Sequence, residues 1–360
     1  MTRGITARLL MGLGVVVLAA APAAAQAIIT NGTVTLGVRE LGNLNVADPT
    51  GAYDGAPSFT PIVGLRSNAT NSDSTSPGCT CEGWGVGLRS TNISGYANDS
   101  VGTANLTLVN FSSTASTAVS TVTMANGANG GSLEITHNYR PNAFTDYLYQ
   151  VDVSITNNTG ADLVAGDLVY RRVMDWDIPY PASELVTIQG VPAVMGLPGS
   201  NLYRSDNNGF NSGNPFSFSS FGLLNQNFTD EGPQDHGALF DFEFEALANG
   251  ATRTFTTYYG VAPNKSAADI ARFAVNGDPL DEDIGLYSYG IPTEGQGGID
   301  TSTGAPNTFI FGFGAAGGIL DPSTDTTTTD TTGAAPEPAS LGLLAMGLFG
   351  ARLARRRRSS

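Results

Sequence analysis

The six residues Phe240-Asp241-Phe242-Glu243-Phe244-Glu245 alternate strictly between aromatic and acidic side chains. On a helix this pattern scatters the rings around the axis; on a pleated strand, whose side-chain period is two, it puts all of them on one face. The segment is read as a strand with one core face and one water face, its Asp241, Glu243 and Glu245 row solvated. The turn Ala248-Asn249-Gly250 and the Thr- and aromatic-rich run 252–259 follow, predicting an antiparallel hairpin. Residues 147–156 and 163–177, separated by Asn157-Asn158-Thr159-Gly160, predict a second pair. Strand-like runs recur at 33–38, 104–110, 118–123 and 133–137. Val63-Gly64-Leu65-Arg66-Ser67 echoes Val86-Gly87-Leu88-Arg89-Ser90, which reads as two strands paired in one sheet. Only 266–275 has helical character, with Ser266 as N-cap and Ile270, Phe273 and Ala274 on one face. With 45 Gly and 19 Pro supplying turns in 360 residues, the expectation is all-β: an antiparallel β-sandwich, one large or two packed, with one short helix near 266–275.

Charge narrows the partners. Asp and Glu number 32 against 17 basic residues, of which Lys265 is the single lysine, and the net charge is −15. A chain so acidic repels phosphate backbones, so nucleic acid is excluded as a partner.

The ends carry addresses. Arg3 and Arg8 precede the apolar run 9–21, and the small-residue stretch Pro22-Ala23-Ala24-Ala25-Gln26-Ala27 follows, the order of a secretory signal peptide over residues 1–27. Cleavage after Ala25 or Ala27 places the mature start at Gln26 or Ile28. At the other end Pro336-Glu337-Pro338 is followed by the apolar segment 339–353 and then by Arg355, Arg356, Arg357 and Arg358. The fifteen residues of that segment reach about 22 Å as a helix, short of a bilayer core of about 30 Å, so arginine snorkelling or local thinning must help. The basic cluster orients such a helix with its tail in the cytoplasm. Residues 336–360 resemble the PEP-CTERM sorting signal of Gram-negative bacteria. The resemblance implies an exosortase as processing partner, transient inner-membrane anchoring, and a final place at the cell surface or in an extracellular exopolysaccharide or biofilm matrix. It concerns sorting and names no activity.

Removing residues 1–27 and 336–360 deletes seven Arg and one Glu, leaving 10 basic against 31 acidic side chains and a net charge of −21. Such a surface repels anionic glycans unless divalent cations bridge them. Residues 321–335, rich in Thr and Asp, cannot bury a core and read as an extended linker between the 28–320 sandwich and the sorting signal.

Few residues offer chemistry. Cys79 and Cys81 are the only cysteines, and in an oxidising compartment they form a tight local disulfide or link to another chain. His137 and His236 are the only histidines and lack a hydrolase or zinc signature. Trp84, in a glycine-rich loop, either stacks on a sugar ring or plugs the core between sheets. Asp175 and Asp177 share one face of a strand with backbones about 6.6 Å apart, overlapping the carboxyl spacing of glycosidases. Arg171 and Arg172 nearby favour an ion-pair network instead. Asp281 and Asp283 form a calcium-type loop, as does Asp206-Asn207-Asn208-Gly209, with plain Asx turns as the alternative. No motif demands a cofactor; calcium enters only through these loops. The reading is a structural or glycan-binding surface protein and not an enzyme. A carbohydrate-active hydrolase using Asp175 and Asp177, or a calcium-dependent glycan-binding module, are the alternatives.

Overall fold

The computed structural model describes residues 25–48, 62–76, 78–127, 130–178, 184–191, 195, 201–275, 285–293 and 307–314. In chain order the strands begin with β1 (Gln26–Thr30), β2 (Val34–Arg39), β3 (Val46–Ala47), β4 (Ile62–Val63), β5 (Leu65–Ser67), β6 (Gly83–Leu88) and β7 (Ile93–Asn98). Then come β8 (Thr107–Ser113), β9 (Ala118–Ala125), β10 (Ser132–Pro141), β11 (Leu148–Asn158), β12 (Leu168–Trp176), β13 (Glu184–Gln189) and β14 (Leu202–Asp206). The last are β15 (Phe228–Gln234), β16 (His236–Glu243), β17 (Thr252–Ala262), β18 (Leu286–Ile291) and β19 (Thr308–Phe313), with helix α1 (Lys265–Phe273) between β17 and β18.

A nine-stranded sheet in the order β15-β13-β18-β19-β17-β11-β10-β9-β8 faces a five-stranded sheet in the order β14-β16-β12-β6-β7. A three-stranded sheet, β1-β2-β5, and the small β3-β4 pair complete the described strands. All the pairings are antiparallel. The expected antiparallel β-sandwich is therefore what the chain forms. One principal apolar cluster joins the sheets: Val151, Val153 and Ile155 of β11 and Phe309, Phe311 and Phe313 of β19 meet Tyr170, Met174 and Trp176 of β12 and Phe240 and Phe242 of β16. Phe240 packs edge-on against Phe313 at 4.9 Å, a geometry aromatic quadrupoles favour.

Strands β9, β10 and β11 alternate between buried and half-exposed positions, as a sheet with one wet face should. Strands β12 and β16 do not: β12 is buried throughout, and β16 up to Glu243. The cause is the segment 207–222, which lies on the outer face of the five-stranded sheet. It approaches so closely that a Cβ on Gly85 would sit 2.0 Å from the Gly213 carbonyl. Asp241, read as solvated, is consequently buried, paired with Arg171 and Arg204; Glu243 stays half-exposed and Glu245 exposed.

Both expected hairpins are corrected. Strand β11 pairs with β10 and β17, and β12 pairs with β16 and β6, so the turn at 159–167 carries the chain from one sheet to the other. The turn at Ala248-Asn249-Gly250 likewise connects β16 to β17 across the sandwich. The Val63/Val86 echo also falls in separate sheets, β5 with β2 and β6 with β12 and β7. The single described α-helix forms where expected, but its N-cap is Asn264, whose Oδ1 accepts the Ala267 N–H at 2.9 Å. Its buried face is Ala268, Ala271 and Arg272, and Ile270 is exposed.

Candidate functional site

Pleating gives β12 two faces. Tyr170, Arg172, Met174 and Trp176 point toward the nine-stranded sheet, while Arg171, Val173 and Asp175 point outward. At the strand's end Asp175 lies opposite Gly237, and the same outer face continues to Asp177 and, across the ladder, to Asp235 just before β16. One carboxylate oxygen from each of Asp175, Asp177 and Asp235 lies within 4.8 Å of the other two. Asp175 and Asp177 are 0% and 2% exposed, and Asp235 reaches solvent.

The expected arginine network is absent from this corner. The Arg171 guanidinium holds Asp241 through two bonds of 2.6 and 2.8 Å and donates to the Ser212, Asn214 and Ser217 carbonyls. Arg172 donates to Glu82 at 2.9 Å, between the sheets. Neither guanidinium reaches Asp175 or Asp177. Burial, then Asp177, Asp235 and Glu184, push the Asp175 carboxyl well above the usual range. Burial, then Glu184 and Asp235, raise Asp177 to about 8, partly offset by the Cys79 N–H that it accepts. Oδ1 of Asp175 and Oδ2 of Asp177 are buried without a hydrogen-bond partner.

The chain closes over the pair. Cys79 and Cys81 form a disulfide. Its Cys79 Sγ lies 3.2 Å from Asp175 Oδ2. A Cβ on Gly78 would fall 1.6 Å from Asp177 Oδ1, and one on Gly209 would fall 2.7 Å from Asp175 Oδ1. Only glycine permits so close an approach at both positions.

On the inner side of the same strand ends, Glu184 of β13 accepts the His236 backbone N–H at 2.8 Å. The His236 ring directs Nδ1 to the Gln234 carbonyl at 2.9 Å, and its Nε2 is buried without a hydrogen-bond partner. Burial raises Glu184, and hydrogen bonds from His236 oppose the shift. Glu184, Asp235 and His236 were not singled out with the aspartates from sequence; the β12–β16 register is what brings Asp235 to Asp177.

The other candidates separate. Trp84 is 0% exposed on β6, donates Nε1 to the Leu41 carbonyl at 2.9 Å, stacks on Tyr170 and meets His137 at a tilt. Of the two readings of Trp84, its burial fits the plug between sheets and not the possible glycan contact, since core aromatics occupy its faces. His137 bonds Tyr170 through Nε2 at 2.9 Å, and His236 lies at the end of β16. Asp206 spends its carboxylate on Asn208 N, Phe221 N and Ser220 Oγ, an Asx turn. Asp281, Asp283, Pro336, Glu337, Pro338, Arg355, Arg356, Arg357 and Arg358 lie outside the described residues, as do the linker 321–335 and residues 1–24 of the signal peptide. Among the described residues no helix is long and apolar enough to cross a membrane.

Comparison with known proteins supplies the class. Residues 334–358 match the model of the PEP-CTERM protein-sorting motif. The motif supports an exported protein processed by an exosortase, and the body that carries it is an antiparallel β-sandwich. No curated protein matches it.

Proposed function

We propose that the mature protein is a structural, non-catalytic component of the cell surface or exopolysaccharide matrix, placed there after an exosortase removes its tail. The observation that carries this reading is the sorting motif at 334–358 joined to a body whose best acid/base pair is enclosed. Glycoside hydrolysis needs two carboxyl groups flanking a bound sugar, one ionised as base or nucleophile. Asp175 and Asp177 are walled off by Gly78, Gly209 and the Cys79–Cys81 loop, and burial favours their neutral forms.

The test is fractionation of cells producing the full chain, with and without the exosortase. The tailless body is expected in the matrix fraction of exosortase-positive cells, and the full-length chain in the inner membrane of exosortase-negative cells. Purified body incubated with native exopolysaccharide should release no reducing ends. Reducing ends that disappear with Asp175→Asn would replace this reading with the hydrolase.

A further inference from the structure

We infer that Asp175, Asp177 and Asp235 form a calcium site at the outer edge of the five-stranded sheet, beneath the Cys79–Cys81 loop. Acidic clusters are common on protein surfaces, and this one differs in three respects. Two of its members are 2% exposed or less, which is rare for carboxylates without a cation beside them. Oδ1 of Asp175 and Oδ2 of Asp177 make no hydrogen bond although nearly every buried polar atom in a folded protein does. The guanidinium groups of the same strand, Arg171 and Arg172, are committed to Asp241 and Glu82.

Distances and donor chemistry select the ion. Two oxygens bound to one calcium at 2.3–2.6 Å each can stand at most about 5 Å apart. The three carboxylate oxygens, all within 4.8 Å of one another, fall inside that span. A soft metal would prefer thiolates, but Cys79 and Cys81 are joined to each other, leaving hard oxygen donors. Asp235 is exposed and opens the site to the ion and to the waters that complete a shell of six to eight oxygens. The close approach of Gly78 to Asp177 and of Gly209 to Asp175 leaves no room for a sugar against the pair. The inference is independent of the matrix role: calcium binding can hold where matrix placement fails, and the reverse.

Terbium, a calcium mimic, provides the direct probe, because Trp176 sits between two of the ligands and sensitises its luminescence. The full mature chain, disulfide intact and stripped with EDTA, should give a saturable signal on excitation of tryptophan. Calcium should displace it at roughly 10⁻⁵–10⁻³ M and raise Tm by several degrees. Asp235→Asn, at an exposed position that leaves folding intact, should weaken calcium at least about tenfold, and Asp177→Asn should abolish binding. Absence of both luminescence and a Tm shift up to about 10 mM calcium would overturn the site. So would unchanged affinity in Asp235→Asn and Asp177→Asn, which would put the ion elsewhere, or binding that appears only after the disulfide is reduced.

Discussion

Strand β12 buries charge in two ways within a few residues. At its centre Arg171 and Arg172 each meet a carboxylate, on opposite faces of the sheet. At its end Asp175 and Asp177 meet other acids and no cationic side chain. Each central carboxylate is met by a cation: Arg171 spends its donors on Asp241 and three carbonyls, and Glu82 accepts from Arg172 Nη1, Tyr259 and the Leu44 N–H, while Nε and Nη2 of Arg172 make no hydrogen bond. Such a pair fixes structure, pinning the 207–222 segment on one side and tying the sheets together on the other. The incomplete corner leaves acceptor capacity that the chain does not fill.

Four measurements break or sharpen this contrast. The largest effect belongs to Arg172→Met, which strands Glu82 in the core and should cost about 3–5 kcal/mol in urea denaturation. Adding Glu82→Gln should recover most of it, and a double variant as unstable as the single would mean that charge pairing is not what matters there. Next is acid sensitivity beside Arg172. Burial, and then Arg172, hold the His137 ring well below 6.5, so it is neutral when folded while the unfolded chain takes up a proton. Its contribution to stability is therefore present above about pH 6.5 and falls by about 1.4 kcal/mol for each pH unit below that. A His137→Gln chain should show a flatter decline than wild type between pH 6.5 and 5; parallel curves would remove His137 from the account.

The acidic corner should respond with the opposite sign to the arginine centre. In EDTA at neutral pH, Asp177→Asn removes the cost of keeping a buried carboxyl protonated and should raise Tm by a few degrees, at roughly 2–4 °C per kcal/mol. A fall would show that the corner is satisfied as it stands. The smallest effect is expected at Arg89 and Glu243, which pair at 2.6 Å but are 39% and 45% exposed. Arg89→Ala should cost less than about 1 kcal/mol, and added salt should erase the difference.

What was legible from sequence follows from how local each signal is. The sorting tripeptide, apolar segment and arginines are contiguous and need no fold to be read. Period-two alternation is local too, so the strands around β9, β10, β11, β16 and β17 stand close to where the residues put them. Pairing is not local. Asn157-Asn158-Thr159-Gly160 reports that the chain turns, and nothing in it says whether the return strand joins the same sheet. Asp241 looked wet because its alternation with Phe240 and Phe242 is that of a one-sided strand, and the covering segment, pinned by Arg171, lies outside that window. Asn264 and Ser266 are both competent caps, and only the bond from Ala267 N decides between them. The Asp175–Asp177 spacing was visible, whereas Asp235 needed the β12–β16 register.

The passage of the chain between sheets sets an order of assembly during secretion. A polypeptide threaded outward from its N-terminus delivers β6 and β7 early, but their neighbour β12 emerges only after β8, β9, β10 and β11. Those four are successive neighbours, so they can zip into a meander on arrival, with short loops and little entropy to overcome. The meander then offers a finished apolar wall, and β12 docks against it, bringing β6 in behind. Export and folding can thus proceed in the same direction along the chain.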